Sequence, residues 1–173
     1  LNLSKISGKY LNSGFQIAGD INTADASKLD ANINGQLNIN LEDLKEALKK
    51  FSAAGESANN YGGKDPLEQI KPSGLLEAQF SLNGNINDIK SCVIAAKLFS
   101  PSISAYGLKT QGCALEYNQA EGLIEIPVID LSLYDGRLKG TAKMNLTSAN
   151  LPYWIEADIQ GVRIEKLKLD TAI

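Results

Sequence analysis

Apolar and polar residues alternate with a period of two along nearly the whole chain. Leu76, Ala78, Phe80 and Leu82 are separated by Glu77, Gln79 and Ser81. Leu138, Ala142, Met144 and Leu146 keep the same phase, as do Tyr153, Ile155, Ala157 and Ile159. Successive side chains of a strand point to opposite faces of its sheet, so each run has one apolar and one polar face. A chain built almost wholly of such strands has to cover one long apolar surface. What covers it decides what the chain does.

The sequence excludes several classes of function. It has no histidine, so the commonest general base and the commonest transition-metal ligand are missing. Its two cysteines, Cys92 and Cys113, are too few for a four-cysteine zinc site. The 17 basic and 20 acidic residues are mixed along the 173 positions, with no basic block for nucleic acid. Without histidine there is no Cys-His pair and no Ser-His-Asp set, and Gly62-Gly63-Lys64 lacks the longer frame of a phosphate loop. No enzyme activity and no cofactor are expected. No apolar run approaches the roughly 20 residues that span a bilayer. The chain opens on Leu1 in strand-like sequence and ends inside a patterned segment. It is expected to be a single β-rich segment, 1–173, of a longer protein, with any membrane anchor outside it.

The expected elements follow from period and turn signals. Residues 1–12 read as one strand with a turn at Ser7-Gly8. Phe15, Ile17 and Ile21 alternate next, residues 23–30 read as turn, and Ala31, Ile33, Leu37 and Ile39 form a third strand. The spacing of Leu41, Leu44, Ala47, Leu48 and Phe51 then predicts one amphipathic helix near 41–51. Asn40 is its N-cap, Glu42 and Asp43 lie on its solvated surface, and Lys49 and Lys50 suit its C-terminal end. It is expected to pack on the edge or mouth of the sheet. Residues 52–74, with Pro66, Pro72 and three glycines before Gly74, read as a flexible connector. Strands are predicted at 75–84, 90–98, 102–108, 112–118, 122–134, 137–146 and 153–161, an antiparallel meander. Pro127 predicts a break or bulge splitting 122–134. The strand order places another strand between Cys92 and Cys113, which favours two free thiols. Trp154 is out of phase with its neighbours, and Tyr134 reads as a cross-strand packing residue.

Two strand-to-helix junctions look alike. Ile39-Asn40-Leu41-Glu42-Asp43-Leu44-Lys45 aligns with Val162-Arg163-Ile164-Glu165-Lys166-Leu167-Lys168 at an offset of 123 residues. Such a repeat would give one full unit plus the ends of its neighbours.

The segment Leu133-Tyr134-Asp135-Gly136-Arg137-Leu138-Lys139-Gly140, with the alternating strand after it, resembles a hairpin of the AsmA-like family of Gram-negative envelope proteins. Asp135 stands where that family usually has a glycine. Residues 153–167, a strand ending in Gly161-Val162 before a leucine-containing helix, are similar to the same family. The resemblance is best over 74–173. It implies a mostly β fold, a curved antiparallel sheet forming an open groove or incomplete barrel, in the periplasm and tied to the inner membrane by segments outside this chain. It implies a non-enzymatic role in outer-membrane lipid transport or homeostasis, with phospholipid acyl chains as the partner and other envelope proteins as further partners. The groove would be lined by Leu76, Ala78, Phe80, Leu82, Ile124, Ile126, Leu138, Ala142, Met144, Leu146, Ile155, Ala157 and Ile159. Tyr134, Gly136 and Gly140 would form the family-like turn.

On pattern alone the simpler reading is ordinary core. Alternating strands are equally expected in a β-sandwich, a structural or interaction module of the envelope with no lipid ligand. The resemblance favours the groove.

Overall fold

A computed structural model of the chain describes residues 1–25, 28–54, 72–105 and 108–166. The strands are β1 (Asn2–Tyr10), β2 (Ser13–Asp25), β3 (Lys28–Asn40), β4 (Ser73–Asn85), β5 (Val93–Ser100), β6 (Ile103–Ala105), β7 (Leu108–Lys109), β8 (Gly112–Ala120), β9 (Leu123–Leu133), β10 (Gly136–Asn145) and β11 (Tyr153–Gln160). Helix α1 (Leu41–Ala54) joins β3 towards β4. Nine strands pair in the order β1-β2-β3-β4-β5-β8-β9-β10-β11, and the short β6 and β7 hang from β4. Every pairing is antiparallel. The sheet is open and curved, and β1 and β11 are its two edges.

Among the described residues no second sheet lies over this one. The consequence is an unusual core. Among the described residues Ala31, Cys92 and Tyr134 are the buried apolar ones. β3, β4 and β5 alternate between half-buried or buried and exposed along most of their length, whereas β11 is exposed throughout. The half-buried side chains are shielded by neighbours on their own face.

The polar face is held by cross-strand pairs. Lys97 meets Glu116 at 3.0 Å and Lys143 meets Glu125 at 2.6 Å. Arg137 forms a two-pronged bond with Asp130, which holds that carboxyl below the usual carboxylate range, first through the hydrogen bond and then through charge. Glu77, Gln79, Lys139, Lys143, Glu156 and Asp158 all stand on this face, as their register requires.

Helix α1 is fixed by a knot of hydrogen bonds. Asn40 Oδ1 accepts from the Glu42 N–H at 2.9 Å and the Asp43 N–H at 3.3 Å, the expected N-cap. Asp43 is 5% exposed, not solvated as its helical position suggested. Its Oδ2 accepts from the Asn12 N–H at 2.7 Å and the Ser13 hydroxyl at 2.9 Å. The helix is thereby pinned to the β1–β2 turn. It runs on to Ala54, so no basic residue falls in its last turn, contrary to the role read for Lys49 and Lys50.

Other expectations need correction. Ser7 and Gly8 lie within β1, and the turn comes at Leu11 and Asn12. Gly8 is a socket: a Cβ there would stand 2.6 Å from the Phe15 ring. Residues 23–25 and 28–30 extend β2 and β3. β9 is one strand, and Pro127 produces slips of register against both neighbours. A 3-10 turn, Ile89–Ser91, precedes β5, and 102–108 divides into β6 and β7. Most of the expected connector, residues 55–71, lies outside the described residues, as does the tail beyond Lys166.

Candidate functional site

Register fixes which side chains stand abreast. One row crosses eight strands as Phe15, Leu37, Ala78, Leu98, Leu115, Ile129, Gly140 and Ala157. A second, displaced by two residues along each strand, runs Ile6, Ile17, Gly35, Phe80, Ala96 and Tyr117. Beyond the bulge at Pro127 it resumes as Ile126, Ala142 and Ile155. A third runs Ile33, Leu82, Ile94, Gln119, Ile124, Met144 and Tyr153. A fourth includes Ile39 beside Leu76, then Ser100, Cys113, Leu131, Leu138 and Ile159.

These rows form one face. Of the residues expected to line a groove, Leu76, Ala78, Phe80, Leu82, Ile124, Ile126, Leu138, Ala142, Met144, Ile155, Ala157 and Ile159 all stand on it. Leu146 sits just past the end of β10, its N–H bonded to the Gly122 carbonyl at 2.7 Å. The expectation omitted the β5 and β8 contributors Ile94, Ala96, Leu98 and Leu115, although β5 alternates as cleanly as β4. With strands about 4.8 Å apart and about 3.3 Å per residue, the four rows cover on the order of 800 Å². Apolar patches on soluble monomers are usually a few hundred Å². Exposure is greatest at the two ends, with Ile6 at 45%, Ile155 at 62% and Ile159 at 62%.

Polar atoms that enter the face are satisfied. Gln119 is buried; its Nε2 donates to the Ile89 carbonyl at 2.6 Å, and its Oε1 accepts from the Tyr117 hydroxyl at 2.6 Å. Ser100 donates to the carbonyls of Leu75 and Ser102. Cys92 and Cys113 are free, and burial pushes both thiols above their ordinary value, with Asp88 adding to the effect at Cys92. β5 and β8 are direct neighbours, so no strand separates the two cysteines. They stay apart because Cys113 pairs with Ser100, at the other end of β5 from Cys92.

At one corner α1 covers the face. Leu44 and Ala47 of the helix and Tyr10, Phe15, Leu37 and Ile39 of the sheet line an open concavity of about 170 Å³. A larger, more polar concavity of about 520 Å³ lies beside Tyr134, between Lys109, Lys166 and the serines 73, 102 and 104.

The family-like turn joins β9 to β10. Tyr134 (φ 50°) and Asp135 (φ 64°) both take the left-handed conformation that suits a two-residue hairpin. Tyr134 stands in the turn itself and is buried; its hydroxyl accepts from the Lys109 N–H at 3.1 Å. Asp135 accepts from Lys166 Nζ at 2.7 Å, and this bond, with Arg163 nearby, holds its carboxyl below the usual range. Gly136 and Gly140 admit β11: a Cβ would collide with the Gln160 carbonyl oxygen at the first and would stand 2.6 Å from that of Glu156 at the second. Trp154 lies on the opposite, polar face beside Lys143.

The face offers mainly apolar side chains, with its few polar groups hydrogen-bonded. Among the described residues no group of three or more acidic or cysteine side chains could hold a metal ion. No described helix is long and apolar enough to cross a membrane. Compared with known proteins, the chain matches no family model, no curated protein and no solved structure.

Proposed function

We propose that this chain shields lipid acyl chains on the apolar face of its open sheet. The observation that carries the reading is the set of four cross-strand rows with no second layer above them among the described residues. At about 25 cal/mol per Å², even partial cover of such a face is worth many kcal/mol. An acyl chain that fills half of a bilayer core of about 30 Å reaches about 15 Å. The rows run about 38 Å across nine strands at a spacing of about 4.8 Å, room for a chain to lie along them. The lining is mainly aliphatic, and its backbone groups are engaged in the ladders, so a guest meets few unpaired polar atoms.

On this reading the module acts passively, and no bond is made or broken. The resemblance to AsmA-like proteins supports a place in the periplasm, a role in moving lipid towards the outer membrane, and neighbours among envelope proteins. A phospholipid with a photoactivatable acyl chain tests it. Cross-linked peptides from β4, β5 and β8–β10, with attachment at Phe80, Leu98, Leu115 or Ala142, are expected. Attachment confined to polar-face residues overturns the reading.

A further inference from the structure

The chain repeats itself over more than its strand-to-helix junctions. The β1–β2 hairpin turns at Leu11, φ 51°, and the β9–β10 hairpin at Tyr134, φ 50°. Tyr10 faces Ser13 in the first, and Leu133 faces Gly136 in the second. Register slips by one residue between Leu3 and Ile6 on β1, and between Ile126 and Ile129 on β9. Helix α1 begins at Leu41, and a helical turn begins at Ile164. Each helix is tied to its hairpin turn, Asp43 to Asn12 and Lys166 to Asp135. In every case the second position is the first plus 123. β11 differs from β3 by one residue of register, which Gly161, φ 66°, takes up before the helical turn. β1-β2-β3 and β9-β10-β11 therefore share one arrangement.

The two sets differ at their third strand. The far side of β3 is taken by β4. The Ile86 N–H bonds to the Leu29 carbonyl at 2.9 Å, and alternation from that pair aims the backbone groups of Ile33, Gly35 and Leu37 at β4. On β11 the Asn145 N–H bonds to the Pro152 carbonyl at 3.0 Å, so Trp154, Glu156 and Asp158 face β10. Ile155, Ala157 and Ile159 then aim their N–H and C=O groups outward, at the positions that Ile33, Gly35 and Leu37 hold on β3. Among the described residues nothing pairs with them. Sheet edges are commonly blunted by bulges, lysines or proline. β1 carries a bulge, Lys5 and Lys9; β11 pairs regularly along its whole length and holds no proline or lysine, its charges being Glu156 and Asp158, whose backbone groups face β10.

We propose that the outer edge of β11 is a strand-pairing site for an antiparallel strand with an apolar residue at every second position, in the register β4 takes on β3. Ala157 adds a selectivity element. It carries the Cβ that Gly35 lacks, and a Cβ on Gly35 would stand 2.7 Å from the Phe80 ring. The partner residue opposite Ala157 must therefore be smaller than phenylalanine. The paired strand would lengthen the apolar face by one strand.

The test adds to the whole protein a synthetic peptide with the sequence of residues 73–85 carrying Phe80→Leu. Saturable change in the emission of Trp154, the chain's one tryptophan, and slowed exchange of the Ile155, Ala157 and Ile159 amides are expected. Ala157→Pro removes an outward N–H and no bond to β10, and should weaken binding at least tenfold. A peptide N-methylated at positions 78, 80 and 82 should fail to bind, a control that needs no protein variant. Absence of saturable binding, protection at β1 instead, equal binding of the methylated peptide, or a dimer of this chain occupying the edge of β11 would each overturn the proposal.

Discussion

The ring of Phe80 on β4 lies across Gly35 on β3, so close that a Cβ on the glycine would meet the ring at 2.7 Å. The Gln16 carbonyl oxygen on the other side of β3 would stand 2.8 Å from the same Cβ. The glycine is thus a socket on the apolar face. Gly35→Val is expected to lower stability by about 1–3 kcal/mol through overpacking, read from urea unfolding. Phe80→Leu introduced with it should recover part of that loss, since the two side chains compete for one space.

The attachment of α1 rests on Asp43. Removing its carboxylate leaves the part-buried Asn12 N–H and Ser13 hydroxyl without their acceptor. Asp43→Ala is expected to cost roughly 1–3 kcal/mol. Hydrogen exchange should accelerate at Asn12 and in the first turn of α1, with little change in β8–β11. Uniform acceleration over the whole sheet would contradict this.

The contact of Asp135 with Lys166 and Arg163 is pH-dependent with a definite sign. The folded carboxyl titrates below its unfolded value, so the contact contributes above the unfolded pKa of about 3.9. It is lost as pH falls through the lower, folded value. An NMR titration of the Asp135 side chain should show a midpoint below the ordinary range. Lys166→Met should move that midpoint upward; an unchanged midpoint would contradict the assignment.

Much of this was legible in the sequence, for one physical reason. Period-two alternation reports directly on which face a side chain occupies, so Leu76, Phe80, Ile126 and Met144 could be placed together before any strand was paired. Pro127 likewise announced an irregularity, because a residue without an N–H breaks a ladder wherever it falls. Pairing was less visible. The sequence suggests an intervening strand between Cys92 and Cys113, whereas neighbouring strands hold them at opposite ends. Local composition also cannot tell a glycine in a turn from a glycine beneath a ring, which is why Gly8 reads as a turn. Asp43 looks like any exposed acid on a helix; its burial comes from a hairpin about 30 residues away in sequence. Ile94, Ala96 and Leu98 of β5 are open to the same reading as β4, whereas Leu115 of β8 joins the face through register, because its own strand does not alternate cleanly in burial.

Native mass spectrometry of the purified protein after exposure to vesicles of phosphatidylethanolamine and phosphatidylglycerol tests the central claim most directly. Wild-type protein is expected to carry at least one phospholipid, Lys143→Ala on the polar face to carry the same, and Ala142→Asp on the apolar face to carry little while keeping its β-sheet circular dichroism. Wild-type protein free of lipid, or Ala142→Asp loaded as fully as wild type, would contradict it.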